Sequence, residues 1–590
     1  LTALRLARRD ALVLGLALFL PAAVQIVSGP LPELGPDATE YFSQLRSLYF
    51  DHDVQLENEF AHYGLLERYD KGLTSTGYRR TLYAVGPALY WLPFYAAADL
   101  WSAATGGARD GYGGVYLRAV ALGSLAWVVL GALLVHRVLS GLVTRAAAAV
   151  TAVLVVYATS LYWYAVHAPA MSHAASFFAG AALLAVWWDG RHGLSPRRAL
   201  ALGVLAGLAA SVRWQNLLLL LLPATTLAYQ VRTRARTALL CGLLAAAGAL
   251  AGALPQMLAW KAIWGSYLLT AMPQGNDYVR LSRPYLLESF FSSRHGLLYW
   301  TPVLWGGVLG LLPLVRRDAR AAAAMLLPLA CMTWVNASVL DWWAAGSFSN
   351  RRFDSVLPFL AVGLGLALEA LRAAAARRPG GVLAALGLAL TAWNFLFMQQ
   401  YKQNRIPRDD TVSFPRVAGN SATLLSELAG SPLAWPANWI WAARHDTSPA
   451  FYDLMVGKYL FYRQASLQGV IDLGDEAGEA LLADGWAAHV RCEDQVCRLV
   501  RGRARLFAPL DLPETLDLRV RACGEGALAL TLEGRRLAEW PLGAALEDLR
   551  VRIPAHYWRA GHNDLRLEVG SGGWAAVDRV QFVRVLAAAP

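Results

Sequence analysis

Residues 11–64 read ALVLGLALFLPAAVQIVSGPLPELGPDATEYFSQLRSLYFDHDVQLENEFAHYG. The stretch 11–28 is uncharged and almost wholly apolar, and Arg5, Arg8 and Arg9 precede it. A run of that length crosses a bilayer as a helix. No convincing small-residue cleavage site follows, so it is expected to stay as a retained first helix rather than a cleaved leader. Beyond it lies Asp37. Tyr41, Phe42, Leu45, Leu48 and Tyr49 then fall on one helical face. That spacing predicts an amphipathic helix along the bilayer surface. An acidic loop with Glu57 and Glu59 follows.

Outward from this stretch, long apolar blocks recur. Candidate spans are 11–28, 81–100, 114–135, 146–163, 172–188, 199–212, 215–230, 237–262, 298–315, 321–340, 353–371 and 380–399. Charged residues make up 16% of the 590, against about 25% in soluble domains. The 22 tryptophans and 23 tyrosines suit bilayer interfaces, where an apolar ring body and a polar edge are both satisfied. The net charge of +11 sits largely in short loops between spans, where basic residues set orientation. No basic element with interleaved aromatics occurs on a soluble segment, which excludes nucleic acid as a partner. The clusters Arg5/Arg8/Arg9, Arg137/Arg145, Arg191/Arg197/Arg198, Arg232/Arg234/Arg236, Arg316/Arg317/Arg320 and Arg372/Arg377/Arg378 are assigned to the cytoplasm. Loops 29–80, 161–171, 263–297 and 341–352, the Arg213 turn and everything after 400 then face outward. Twelve full crossings would return the C-terminus to the cytoplasm, against the charge pattern. The segment 81–100, with Pro87 and Pro93, is the candidate for an incomplete crossing, broken or re-entrant at proline.

The tail divides again. Residues 401–466 are aromatic and proline-containing and are expected to pack on the membrane domain (1–400). From 467 to 590 apolar residues alternate, as in Leu516/Leu518/Val520, Leu528/Leu530/Leu532, Leu549/Val551/Ile553 and Leu565/Leu567/Val569, between turns rich in Gly, Asn and Asp. This predicts a β-sandwich. The expected fold class is thus a polytopic α-helical membrane protein with about 11–13 transmembrane helices and a C-terminal extracytoplasmic β-sandwich. Cys241 and Cys331 lie in apolar segments. Cys492 and Cys497 flank a short polar stretch without further zinc ligands, and a local disulfide is expected there.

Two roles for Asp37 stand side by side. It opens a helix, with Glu40 three residues on, as in a capping box. A carboxylate at the membrane surface can also take a proton from an acceptor hydroxyl or coordinate a metal.

A first helix, an outward Asp opening D-x-x-x-Y, an interfacial helix and an acidic loop together resemble the GT-C superfamily of membrane glycosyltransferases. Within it they are similar to the branch of protein O-mannosyltransferases and lipid A aminoarabinose transferases. The resemblance implies sugars carried on polyprenyl phosphate, transfer outside the cytoplasm with inversion, and Asp37 as the catalytic carboxylate. Leu117-Arg118-Ala119 resembles a family turn, and LAGLAASVRWQN resembles a helix pair with a basic tip, here Arg213. SSRHGLLYWTP (Arg294, His295) and DWWAAGSFSNRR (Arg351, Arg352) resemble outward segments of bacterial members. Where the family often carries a Pro-Asp pair, this chain has Pro169-Ala170, flanked by His167 and His173. No cofactor is assigned; a divalent metal ion stays an open alternative, with Glu57, Glu59, His167 and His173 as further candidates.

The resemblance implies as partners a polyprenyl-phosphate-linked sugar donor, membrane lipid, and a glycan, lipid or protein acceptor, at the outer face of the cytoplasmic membrane. Arginine forks at Arg118, Arg213, Arg294, Arg351 and Arg352 suit the charge that develops on a leaving phosphate. Trp540, Tyr557, Trp558 and Trp574 in the sandwich either stack on sugar rings or form core. Two other classes keep the same spans: a transporter or lipid flippase, and a non-catalytic assembly protein. Neither would need Asp37.

Overall fold

The computed structural model describes residues 2–32, 34–68, 71–269, 278–375, 378–461, 467–570 and 572–585. The chain divides into two compact units, Leu1–Ala418 and Gly419–Pro590.

The first unit is a helical bundle. Its main helices are α1 (Thr2–Ser28), α2 (Pro36–Arg46), α3 (Gly86–Thr105), α4 (Gly114–Leu139), α5 (Arg145–Tyr157), α6 (His173–Trp188), α7 (Pro196–Val212), α8 (Leu221–Trp264), α9 (Leu304–Arg317), α10 (Ala319–Ala337), α11 (Leu357–Ala374) and α12 (Pro379–Lys402). Among the described residues five helical stretches are long and apolar enough to cross a membrane, and two shorter apolar helices accompany them. This is a multi-pass membrane protein. Exposed leucines along α1 and α8, such as Leu12, Leu16, Leu243 and Leu250, form surface that lipid covers.

The Arg-rich loops gather at one end of the bundle. Arg145 pairs with Asp10 at 3.3 Å, Arg137 with Asp189 at 2.7 Å, and Arg191 with Asp318 at 3.3 Å. Thr144 Oγ1 donates to Glu369 at 2.6 Å. The opposite end brings together Arg118 and Gly29, Tyr162 and Gln25, and Arg213 and Ser172.

Between these ends, among the described residues, run α1, α4, α5, α6, α7, the two halves of α8, α9, α10, α11 and α12. The halves of α8 meet at Arg234, whose φ of −144° and ψ of 58° are not helical. Spans 215–230 and 237–262 are therefore two helices that meet at a basic turn, as the sequence predicts.

Helix α3 does not join the two ends. Its start abuts the end of α7, where a Cβ on Gly86 would lie 2.2 Å from the Ser211 carbonyl oxygen. It then runs antiparallel to α4, with Trp127 Nε1 donating to the Tyr90 carbonyl and Tyr116 OH donating to Asp99. Both of its ends thus lie toward the Asp37 side. The cause is not a proline break, because the helix continues through Pro93. Eleven legs, an odd number, leave Lys402 at the end opposite Thr2, which removes the parity conflict in the charge pattern.

Close helix contacts rest on glycine. A Cβ on Gly203 or Gly207 of α7 would meet the carbonyls of Ala245 and Ala249 at 2.1 and 2.2 Å. Gly248 and Gly252 of α8 answer them against Leu200 and Val204. Small residues at four-residue spacing let two backbones touch, as in membrane helix pairs generally. Gly180 similarly lies against the Ser355 carbonyl, at 2.0 Å for a Cβ. That contact fixes the segment before α11.

The second unit is the expected antiparallel β-sandwich. One sheet has the order β2 (Trp486–Cys492), β3 (Gln495–Val500), β10 (Trp574–Arg584), β5 (Leu516–Glu525), β8 (Glu547–Ile553), with β1 (Gln468–Asp472) also pairing β10. The other has the order β4 (Arg503–Leu510), β9 (Gly561–Val569), β6 (Ala527–Leu532), β7 (Arg535–Pro541). Leu518 and Val520 from the first sheet share a core with Leu530 and Leu567 from the second. Trp558 is buried in that core, Trp540 and Tyr557 pack on its margin, and Trp574 is partly exposed.

The expected Cys492–Cys497 disulfide is absent: both thiols are free and buried, next to Cys523. Cys492 pairs with Gln495 and Cys497 with Val490. The two cysteines are therefore diagonal neighbours across the hairpin, clustered with Cys523.

Candidate active site

The loop after α1 folds inward. Gly35 is the N-cap of α2, Pro36 takes the first turn, and Asp37 makes no capping bond. The capping-box alternative is thus not adopted. Helix α2 also does not lie on a surface, because every residue from Ala38 to Leu45 is buried. Its polar side chains are satisfied internally instead. Glu40 pairs with Lys71 and accepts from Thr81 at 3.1 Å, while Gln44 donates to Thr81 at 3.2 Å and to the Tyr83 carbonyl at 3.1 Å.

Asp37 opens into a cavity of about 470 Å³. Its other charged lining residues are Arg213, Arg351, Arg352 and Asp341, and its apolar wall includes Trp260, Ile263, Trp264 and Val335. The volume lies within the range of small-ligand sites. Arg351 Nη2 donates to Asp37 Oδ2 at 3.0 Å, and Tyr83 OH donates to Oδ1 at 2.6 Å. Burial pushes the Asp37 carboxyl up, but the Arg351 charge and the Tyr83 and Arg351 hydrogen bonds outweigh it. The group is held below its ordinary range and is ionised at neutral pH. Glu40 goes the other way, because burial outweighs Lys71 there.

The arginines are held from behind. Arg213 Nε donates to Ser172 at 2.8 Å, and its Nη1 to the Arg351 carbonyl at 3.4 Å. Arg352 Nη2 donates to Asp341 at 2.6 Å, and Tyr278 OH donates to the same carboxylate at 2.7 Å. Beneath them His173 Nδ1 lies 2.6 Å from Asp354, both buried. The loop that reaches Arg213 is positioned by the Gly86 contact, and the one that carries Arg351 by the Gly180 contact.

Of the residues singled out in the sequence, Asp37, Arg213, Arg351 and Arg352 meet in this cavity, with His173 behind it. The others go elsewhere. Arg118 donates to the Gly29 carbonyl at 3.2 Å. Arg294 lies over Trp343, 3.7 Å from its ring centre, and pairs with Asp409. Glu57 pairs with Arg79. Glu59 is fully buried against Arg46 at 2.7 Å, and burial pushes its carboxyl up to about 7. His167 packs among Tyr162 and Trp163, and His295 bonds Ser347 at 3.1 Å. Tyr83, Asp341, Tyr278 and Asp354 were not singled out in the sequence. Asp354, two residues past Arg352 in NRRFD, carried the one local signal: a carboxylate beside two arginines at the mouth of a span.

The carboxylates that line the cavity, Asp37 and Asp341, each hold an arginine. Among the described residues no group of three or more His, Cys, Asp or Glu side chains is placed to hold a metal ion.

No protein-family model matches the chain, and the search of curated proteins found no match. Among solved structures the chain is similar to ArnT from Cupriavidus metallidurans bound to undecaprenyl phosphate, at 14% identity and a TM-score of 0.41, over 75% of this chain and 80% of that one. It is similar to arabinosyltransferase EmbB from Mycobacterium smegmatis at 12% identity and a TM-score of 0.39, over 97% of this chain and 64% of that one. A fifth of the chain (20%) is similar to the CBM36-1 domain of a multidomain xylanase from the hindgut metagenome of Trinervitermes trinervoides, at 10% identity and a TM-score of 0.17, over 99% of that domain. Likenesses at this level carry nothing about substrate or reaction.

Proposed function

We propose that the protein is an inverting glycosyltransferase that takes its sugar from a polyprenyl-phosphate carrier, at the outer face of the cytoplasmic membrane. One observation carries this: an ionised carboxylate, Asp37, shares a cavity with apolar walls and three arginines from two distant loops. The sequence resemblance points to the same chemistry.

In the proposed reaction the lipid phosphate lies against Arg213 and Arg352 and competes for the Arg351 fork. Once Arg351 turns to phosphate, the burial that acts on Asp37 is less opposed, and its basicity rises. An acceptor hydroxyl approaches the sugar C1 from the Asp37 side. Its oxygen bonds to C1, the bond from C1 to the phosphate oxygen breaks with its electron pair, and the hydroxyl proton passes to Asp37. The arginines stabilise the charge on the departing lipid phosphate. Tyr83 keeps the carboxylate oriented. No metal step is included.

The test is transfer of radiolabel from a panel of polyprenyl-phosphate sugars into membrane extract, comparing wild type with Asp37→Asn. Transfer by the wild type, and its loss in a folded variant, is the expected result. Equal transfer by both removes Asp37 from the chemistry. Movement of sugar across sealed vesicles without a new glycosidic bond would establish a transporter instead, and inactivity across the panel together with indifference to Asp37 a scaffold.

A further inference from the structure

From Val417 to Ala443 the chain has 27 residues and one charge, Glu427. Two helices lie here, α13 (Phe414–Ala429) and α14 (Ala437–His445). Such a composition in a folded segment is normally buried. Here much of it is not. Leu425 and Leu428 on α13 are exposed, as are Trp439 and Ile440 on α14. Between the helices Leu433 is 98% exposed and Trp435 is 68% exposed. Isolated exposed leucines need no explanation, but a run of aliphatic and indole side chains over so short a segment does.

The patch is presented rather than loose. Asn438 and Ala442 of α14 are buried, and Trp441 packs against the sandwich core beside Phe507. Arg505, itself held by Asp564, donates to the carbonyls of His445 and Asp446 at the end of the helix. With one face of α14 fixed in this way, Trp439 and Ile440 are turned outward. Trp439 Nε1 donates to the Ala429 carbonyl at 3.1 Å, which ties α14 to the end of α13.

We propose that residues 425–440 form an in-plane anchor seated in the lipid interface of the bilayer face on which α12 ends. Three observations select lipid as the occupant. Phe414 stacks on Trp393 of α12, and Gln400 of α12 donates to the Val417 carbonyl at 3.1 Å, so α13 starts against the end of α12, where the chain leaves the bilayer. Tryptophan beside exposed leucine and isoleucine is the composition of interfacial helices. A sugar site is a poor alternative. The shallow cleft of about 290 Å³ at Trp435 and Trp439 is otherwise lined by Ala429, Gly430, Ser431 and Pro432, with no carboxylate or amide side chain to grip hydroxyls. With a single charge in 27 residues, seating depends on apolar insertion and not on headgroup charge.

The test uses the full chain in phosphatidylcholine vesicles, with a nitroxide at Leu433→Cys or Ile440→Cys and with Cys331→Ala to remove the half-exposed native thiol. Leu512→Cys, on an exposed turn of the sandwich, is the aqueous control. Oxygen, which partitions into lipid, should relax the labels at 433 and 440 several-fold more than a water-soluble nickel chelate does. The order should reverse at 512. Added anionic lipid or salt should leave the ratios unchanged. Nickel-dominated relaxation at both sites would overturn the proposal. So would exclusion of both reagents, which marks a second copy or another protein surface, or shielding that appears only on addition of oligosaccharide.

Discussion

At the scale of single residues the centre of interest is the contact between Asp37 and Arg351. In the proposed reaction Asp37→Asn keeps the shape and loses the base, and transfer should fall by roughly 10²–10⁴-fold, the usual worth of a general base. Initial rates with donor in excess measure this. The pH profile is a second check. Asp37 is held below the ordinary aspartate value of about 3.9, so kcat/KM, which reports the free enzyme, should persist on acidification until the pH falls through that lowered value. Arg351→Gln removes the Arg351 charge and its hydrogen bond and leaves burial opposed chiefly by the Tyr83 hydrogen bond. The acidic limb of kcat/KM should then move to higher pH, and a limb that stays in place would remove Arg351 from control of the base. Asp37 and the three cavity arginines were legible in the sequence because charge is conspicuous beside apolar spans. Tyr83, Asp341 and Tyr278 were not, since an ordinary tyrosine or loop aspartate gains its meaning from a partner far away in the chain. Glu57, Glu59, Arg118 and Arg294 looked equivalent on paper and pair with groups outside the cavity.

At the scale of elements the glycine contacts decide where the site residues stand. Gly207→Leu puts a branched side chain where even a Cβ would lie 2.2 Å from a carbonyl oxygen. Relief requires α7 and α8 to separate, at a cost of at least the 1–3 kcal/mol typical of overpacking. The midpoint of thermal unfolding in detergent should drop, and activity should fall with it because α7 ends at Arg213. Leu243→Ala, on the lipid-facing side of α8, should change little by comparison. Periodicity was a sound guide to the existence of helices, and all twelve apolar blocks contain one. It also separated the blocks 215–230 and 237–262 correctly, because the chain leaves helical geometry at Arg234 between them. The fate of α2 was hidden. Its aromatic stripe promised a surface helix, but Glu40 and Gln44 on the other side find Lys71, Thr81 and Tyr83, so the helix is buried all round.

At the scale of the whole molecule the odd number of legs makes sidedness testable. If the basic loops are cytoplasmic, an impermeant maleimide should label Leu512→Cys in intact cells without permeabilisation, and should label a cysteine placed at Arg197 only after it. The opposite pattern would invert the topology. The charge pattern and the change from helical to alternating periodicity made the two-part architecture readable in advance. The incomplete leg at α3 was picked out in advance by parity and by Pro87 and Pro93, but the proline break given as its cause is not there, since the helix continues through Pro93. The distances in sequence between partners also set an order of manufacture. The α7–α8 contacts join residues about forty apart, so that parallel helix pair can close while the ribosome is still making the chain. Asp37 and Arg351 are 314 residues apart. A nascent chain therefore carries its carboxylate through most of its synthesis without the cation that completes it, and the reactive centre is among the last parts of the bundle to be born.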